Sequence, residues 1–327
     1  MTLAGRLAPL TRNRFLVLGR AGMDLYADPP GTELEQAERF VAHLGGSAAN
    51  IAAGLSRLGA QAGLIGTVSD DAVGRFCLSQ LDRYGIDRRH VGQTAGEART
   101  SLAVVETRSE NCQSVIYRNI AADLALSPGD IATIDFSDAG ALVVTGTAMA
   151  SESGRLSVLA ALGRARAAGC VTILDVDFRP YSWPSRAAAQ DAGLAAAEAS
   201  DIVVGNDVEF GLLAGEAREG LDCARALVRG GLGLAVHKMG EAGAITVSAD
   251  GEFRTGIFPT AALKPTGAGD AFLSGLLAAL ALGRPLRQAV LEGSASAAIV
   301  VSRVGCAPAM PTRGELDDFL ASHPDPA

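Results

Sequence analysis

A tract of small residues ending on an acid, Thr266-Gly267-Ala268-Gly269-Asp270, runs straight into the apolar segment Ala271-Phe272-Leu273-Ser274-Gly275-Leu276-Leu277. That segment reads as a helix. Its first backbone N–H groups have no partner inside the helix, so together with the helix dipole they can hold an anion. Asp270 then stands beside the anion hole, placed to accept a proton from a hydroxyl as it attacks. The pattern suits phosphoryl transfer, in which positioning and charge stabilisation supply most of the catalysis. An ordinary Gly-rich loop followed by an acid that favours the dipole explains the same residues. On this tract alone the two accounts stand level.

A second tract, Gly45-Gly46-Ser47-Ala48-Ala49-Asn50, also enters a helix, expected over residues 47–58 with Ser47 as its cap. Paired glycines let a small polar ligand approach the backbone, and Asn50 offers both donor and acceptor to a sugar hydroxyl. A turn before a capped helix is the simpler account of this tract taken by itself. The third, Gly205-Asn206-Asp207-Val208-Glu209, follows a buried strand, which puts Asn206 and Glu209 where open α/β sheets bind ligands. Glu209 suits a hydrated Mg²⁺; failing that, it is a helix-start carboxylate. Other phosphate-binding devices are missing from the sequence. It holds no Gly-Lys dipeptide, hence no P-loop, no G-x-G-x-x-G after the first strand, and neither the HRD nor the DFG motif.

The elements that must position these tracts follow from hydropathy. Strand-like runs are expected at residues 15–18, 62–68, 141–145, 171–174, 202–204 and 234–237. Helix-like runs are expected at 71–84, 153–168, 186–199 and 222–229. The alternation predicts an α/β fold: a mostly parallel sheet covered on both faces by helices. Two stretches break it. Residues 25–40 form a Pro/Gly-bearing excursion, and residues 100–117 alternate with period two, as antiparallel strands with one solvated face do. Together they predict a small β lid, from segments at about 24–44 and 98–120, on a single domain of about residues 14–322.

Composition narrows the class. The 327 residues are 48% hydrophobic and 20% charged, far from a disordered composition and long enough for a large core. The formal net charge is −8, and no basic run occurs, which argues against nucleic acid or an anionic membrane as partner. No apolar stretch approaches the roughly 18 residues of a membrane span, and residues 1–14 do not resemble a signal peptide. Five scattered cysteines, with no metal-ligand spacing, point to a reducing, cytoplasmic setting. The four histidines, His43, His90, His237 and His323, have no motif around them. Of the 28 basic residues only Lys238 and Lys264 are lysines.

With the three tracts in this order and spacing, the chain resembles the ribokinase, or phosphofructokinase-B, family of carbohydrate kinases. The likeness extends from about residue 15 to 311 and closes on Ala297-Ala298-Ile299-Val300-Val301-Ser302-Arg303-Val304-Gly305. It implies a three-layer ribokinase-like fold and an ATP-dependent kinase with Mg²⁺ on the nucleotide. On matching positions it implies Asp270 as general base, with Gly267, Ala268 and Gly269 as the anion hole. Asp24, Gly45, Gly46 and Asn50 become sugar contacts, and Asn206 and Glu209 a metal- and phosphate-proximal pair. Lys238, Gly240, Glu241 and Gly243 fall in the loop along the nucleotide, and Ser294 on the helix flanking adenine. Some relatives pair lid strands across a two-fold axis, so a homodimer is conceivable.

Within the family, Gly22-Met23-Asp24-Leu25-Tyr26, Tyr117-Arg118-Asn119 and the segment from Asp175 to Trp183 resemble the subgroup that phosphorylates 5-dehydro-2-deoxygluconate in myo-inositol catabolism. A sugar acid needs a cation, and arginine's planar fork suits a carboxylate. Arg118 and Arg179 are the candidates, unless they form structural ion pairs. A 2-dehydro-3-deoxygluconate kinase fits the same logic. The remaining rivals are a fructokinase or ribokinase, a nucleoside kinase, and a silent sugar- or nucleotide-binding protein. One departure stands out: Lys264 lies where many relatives carry an aspartate associated with monovalent-cation activation. K⁺ binding in the usual manner is therefore in doubt, and the Lys264 ammonium is expected to replace the ion's charge, unless it points to solvent.

Overall fold

The computed structural model describes residues 2–216 and 219–326. The chain enters the central sheet as β1 (Arg14–Leu18), then leaves it for β2 (Gly22–Asp28) and β3 (Arg39–Gly45) of a second, smaller sheet. It returns as β4 (Gln61–Ser69) and β5 (Asp87–Thr94), and adds β6 (Leu102–Val105) and β7 (Ser114–Tyr117) to the small sheet. The remaining strands all join the central sheet: β8 (Ala141–Thr145), β9 (Val171–Asp175), β10 (Ile202–Asn206), β11 (Leu234–Lys238), β12 (Ala244–Ser248) and β13 (Gly251–Thr255). The central order is β13-β12-β11-β10-β9-β8-β1-β4-β5. All its pairings are parallel except β11 with β12 and β12 with β13.

Strands buried on both faces explain the unbroken apolar runs: every residue of β8 and of β9 is buried. Alternate side chains feed opposite cores. Phe15 and Val17 join the helices Ser47–Arg57, Ala268–Ala281 and Leu286–Val301 on one face. Leu16 and Leu18 join the helices Glu152–Ala167 and Asp207–Ala214 on the other. The result is the three-layer α/β/α architecture. From β1 the chain builds outward on one side through β4 and β5, and on the other through β8 to β11, so the C-terminal ends of β1 and β8 mark a switch point where open sheets bind ligands.

The small sheet has the order β3-β2-β6-β7, with β2 antiparallel to β3 and parallel to β6. Its register places Asp24, Ala103 and Ile116 side by side on one face, and Tyr26 and Val105 next along it. These five residues line the cavity at the switch point. The excursion at 25–40 thus holds the connecting end of an antiparallel hairpin as well as the turn expected from its Pro and Gly content.

One local expectation changes. Gly46, not Ser47, is the N-cap of helix Ser47–Arg57, with φ at +94° and no side-chain cap. The Ser47 side chain lies near Asp177 and helps hold that carboxyl's pKa down. No helix among the described residues is long and apolar enough to cross a membrane.

Candidate active site

Gly267 caps the helix Ala268–Ala281 with a left-handed backbone, φ +86°, and no side chain caps the helix end. Its first N–H groups therefore face a cavity of about 900 Å³ that Gly267, Ala268, Gly269 and Asp270 all line. Glycine is needed at 267 twice over. A side chain there would be strained, and its Cβ would come 2.8 Å from Cys306 Sγ. Asp270 lies in the first helical turn, where Asn50 Nδ2 donates to its Oδ2 at 2.8 Å. Burial, followed by the charge of Asp177, pushes its carboxyl up to about 7, against the Asn50 hydrogen bond and the nearby Arg179 and Lys238. A carboxylate tuned near neutrality beside an uncapped helix end is an arrangement for taking a proton as a phosphoryl group arrives.

The paired glycines serve the protein's own groups as well as any ligand. A side chain on Gly45 would collide with the Asp24 carboxylate, and one on Gly46 with the Arg20 carbonyl. That close packing brings Asp24 (7% exposed) to the cavity wall, with Oδ1 lacking a partner. Burial raises the Asp24 pKa, against the pull of Arg20 and Lys264. Asn50 spends its amide nitrogen on Asp270 and leaves Oδ1 buried and unpartnered. Two orphaned acceptors in one cavity are what hydroxyl donors of a sugar would satisfy.

Asn206 and Glu209 form a reciprocal capping box on helix Asp207–Ala214. Asn206 Oδ1 accepts from the Glu209 N–H at 3.0 Å, and Glu209 Oε2 from the Asn206 N–H at 2.7 Å. Glu209 Oε1 also accepts from the Phe178 N–H at 3.3 Å. Glu209 is thus a helix-start carboxylate whose oxygens each accept one backbone N–H, and both residues also line the cavity. Around them stand carboxylates that the motif reading did not single out. Asp175, the last residue of β9, is buried and its pKa is driven well up by burial, with Asp177, Glu209 and Asp270 reinforcing the shift and Lys238 opposing it. Asp177, in a left-handed conformation at φ +37°, accepts from Thr147 Oγ1 at 2.8 Å and pairs with Arg179 at 3.0 Å. Its own pKa is held down by Arg179 and hydrogen bonds in spite of burial. Hard oxygen donors crowded this closely fit a Mg²⁺ ion accompanying a nucleotide. Among the described residues, no group of three or more His, Cys, Asp or Glu forms a metal cage by itself.

Both lysines belong to this end of the molecule. Lys238 ends β11, its Nζ would lie 3.3 Å from a Cβ on Gly269, and it sits over the Phe272 ring at 5.8 Å. Lys264 is fully buried, not solvated, and its ammonium donates to the Thr266 carbonyl at the entrance to the anion-hole turn. Burial lowers its pKa, while Cys306, Asp270, Cys112 and Asp24 raise it. The loop carrying it is anchored by the Leu263 N–H to the Val301 carbonyl at 2.7 Å. Gly240, Glu241, Gly243 and Ser294 line the cavity with Ile257, Ala297 and Val301, a more apolar end suited to a base.

Arg118 and Arg179 line the same cavity, but each is in an ion pair. Arg118 holds buried Asp123 through two nitrogens and donates to the Thr147 carbonyl at 2.8 Å. The histidines form no cluster; His237 meets Asp207 at 2.9 Å. Arg20, Asp175 and Asp177 also line the cavity, although no motif assigned them a site role of their own. The available signal was positional: each ends or closely follows a core strand at the switch-point side of the sheet.

A family model described as pfkB family carbohydrate kinase matches residues 12–313. A 5-dehydro-2-deoxygluconokinase of Photobacterium profundum is 40% identical over 310 residues, covering 93% of this chain and 94% of that protein. The crystal structure of a PfkB protein from Polaromonas sp. JS666 matches with a TM-score of 0.81 at 30% identity, covering 93% of this chain and 99% of that one. A putative ribokinase II from E. coli, in complex with ATP and Mg²⁺, shares the fold with a TM-score of 0.85 at 23% identity, over 95% of this chain and 99% of that one. Asp270, the uncapped helix end and the unpartnered oxygens of Asp24 and Asn50 occupy one cavity within the span of that family model, and the chain belongs to the pfkB family of carbohydrate kinases, enzymes that phosphorylate a sugar.

Proposed function

We infer that the protein transfers the γ-phosphoryl group of ATP to the 6-hydroxyl of a sugar acid, 5-dehydro-2-deoxy-D-gluconate. The observation that carries this reading is a single cavity holding Asp270, the uncapped helix end and three arginines. The name of the Photobacterium relative supports the same substrate. Asp24 and Asn50, with their unpartnered oxygens, take sugar hydroxyls beside Gly45 and Gly46. Lys238, Gly240, Glu241, Gly243 and Ser294 lie along ATP. Asn206 and Glu209 would hold the hydrated Mg²⁺ of the nucleotide, and the ion would neutralise phosphate charge.

Asp270 accepts the proton of the 6-hydroxyl as that oxygen forms its bond to the γ-phosphorus and the bond to ADP breaks. The Gly267 to Gly269 backbone, Lys238 and Arg179 stabilise the shifting negative charge. Closure of the small sheet over the cavity excludes water and suppresses ATP hydrolysis. Buried Lys264 supplies a fixed positive charge behind the anion hole, so no monovalent cation is needed there. Free thiols on Cys77, Cys112, Cys170 and Cys306 suit a cytoplasmic enzyme. The outer face of the small sheet exposes Phe40, Val115 and Tyr117, a strip that a second copy would cover in a homodimer.

ADP release with a substrate panel tests the reading. The highest kcat/KM is expected with 5-dehydro-2-deoxygluconate, ahead of 2-dehydro-3-deoxygluconate, fructose, ribose and adenosine. A clear preference for one of the others overturns the substrate assignment, and no turnover with any of them overturns sugar phosphorylation.

A further inference from the structure

Three arginines line the cavity, and they are not equivalent. Arg118 is neutralised by Asp123, the two side chains being 8% and 4% exposed. Arg179 pairs with Asp177 at 3.0 Å and lies in the field of Asp270 and Glu209, which puts it at the phosphate end. Arg20 differs. Among the described residues no carboxylate lies within ion-pairing distance of it; its guanidinium donates at 2.8 Å to Ser101 Oγ, a neutral hydroxyl.

Its position is built by the surrounding backbone. Arg20 follows the end of β1, at the switch point between β4 and β8. Its carbonyl accepts from the Ala49 N–H at 3.3 Å, which ties it to the helix that carries Asn50. The guanidinium folds over Gly22, where a Cβ would come 2.8 Å from its terminal nitrogen. Ser101 is buried at 1% exposed, so its hydroxyl aims the guanidinium without neutralising it. Asp24, the sugar-side acid, feels the charge of Arg20 but does not pair with it.

We propose that Arg20 is the direct partner of the substrate carboxylate, holding the acid end of the sugar chain while the opposite end is presented to Asp270. One edge of the planar guanidinium is fixed by Ser101, and the remaining N–H groups match a carboxylate's two oxygens. This rests on the sugar-acid reading above and names the residue that makes the site selective for an acid.

The test compares 5-dehydro-2-deoxygluconate with its methyl ester, which keeps every hydroxyl, loses the charge and adds one methyl group. Wild-type enzyme is expected to favour the acid. Arg20→Gln should lower kcat/KM for the acid by about 10²-fold, the scale of one lost charge-assisted pair. The ester should suffer far less, so the preference collapses, with the KM for ATP serving as a control for folding. Arg20→Lys keeps the charge without the fork and should fall between. An equal loss on acid and ester, or an undiminished rate on the acid, overturns the assignment of Arg20 alone. Wild-type enzyme that fails to turn over the acid overturns the substrate reading and this inference together.

Discussion

Asn50 Nδ2 donates to Asp270 Oδ2 at 2.8 Å across 220 residues of sequence. That single hydrogen bond joins the glycine tract near the N-terminus to the one near the C-terminus. The helix that carries Asn50 thereby orients the Asp270 carboxylate. Asp270→Asn should cut kcat by about 10²-fold or more, the usual worth of general-base catalysis. Steady-state ADP release measures it, and near-normal turnover would remove Asp270 from the role.

The same pair sets a pH dependence. With its carboxyl pushed up to about 7, Asp270 is the competent base only above that pH, so kcat/KM should rise with pH below about 7 and level off above it. Asp177 raises the Asp270 pKa, so Asp177→Asn should move the acid limb to lower pH. The Asn50 hydrogen bond lowers it, so Asn50→Ala should move the limb to higher pH. Full pH profiles of the three proteins provide the check, and limbs that stay together would show that another group titrates.

Lys264 makes a separate prediction. A buried ammonium held on the Thr266 carbonyl is charge built into the site. Lys264→Met should lower kcat by about 10-fold or more, the scale of one charge-assisted hydrogen bond. Wild-type turnover should be the same in Na⁺ and K⁺ salts. Strong stimulation of the wild type by K⁺, or an unchanged kcat in the variant, would sink the idea.

Arg118 and Asp123 form a buried ion pair in the cavity wall. Asp123→Ala leaves the guanidinium uncompensated, and urea unfolding should register a loss of about 3–5 kcal/mol. A loss under about 1 kcal/mol would mean that water reaches Arg118 and offsets the missing partner.

The fold was legible because its signals are local. Unbroken apolar runs, glycines at turns and the period-two alternation of 100–117 depend only on near neighbours in sequence; the runs mapped onto β8 to β11 within a residue or two, and the alternating stretch contains β6 and β7. The three chemistry-bearing tracts were legible for the same reason, since an uncapped helix N-terminus is a property of a short stretch. Even there the expected Ser47 cap failed: Gly46 caps the helix, and Ser47 lies near Asp177, a residue brought close only by folding.

By itself, then, the sequence determined the alternation of strand and helix, the anion-hole turn with Asp270 beside it, and the family. Tertiary structure alone decided what each charge does. Lys264 could have been solvated and is buried; Arg118 could have met a ligand and instead holds Asp123; Glu209 could have faced an ion directly and its oxygens accept backbone N–H groups. Arg20 carried no motif and is the cavity arginine without an ion pair among the described residues. The physical reason is common to all four. The fate of a charge depends on burial and on distances to partners far away in sequence, and both come into existence only when the chain packs.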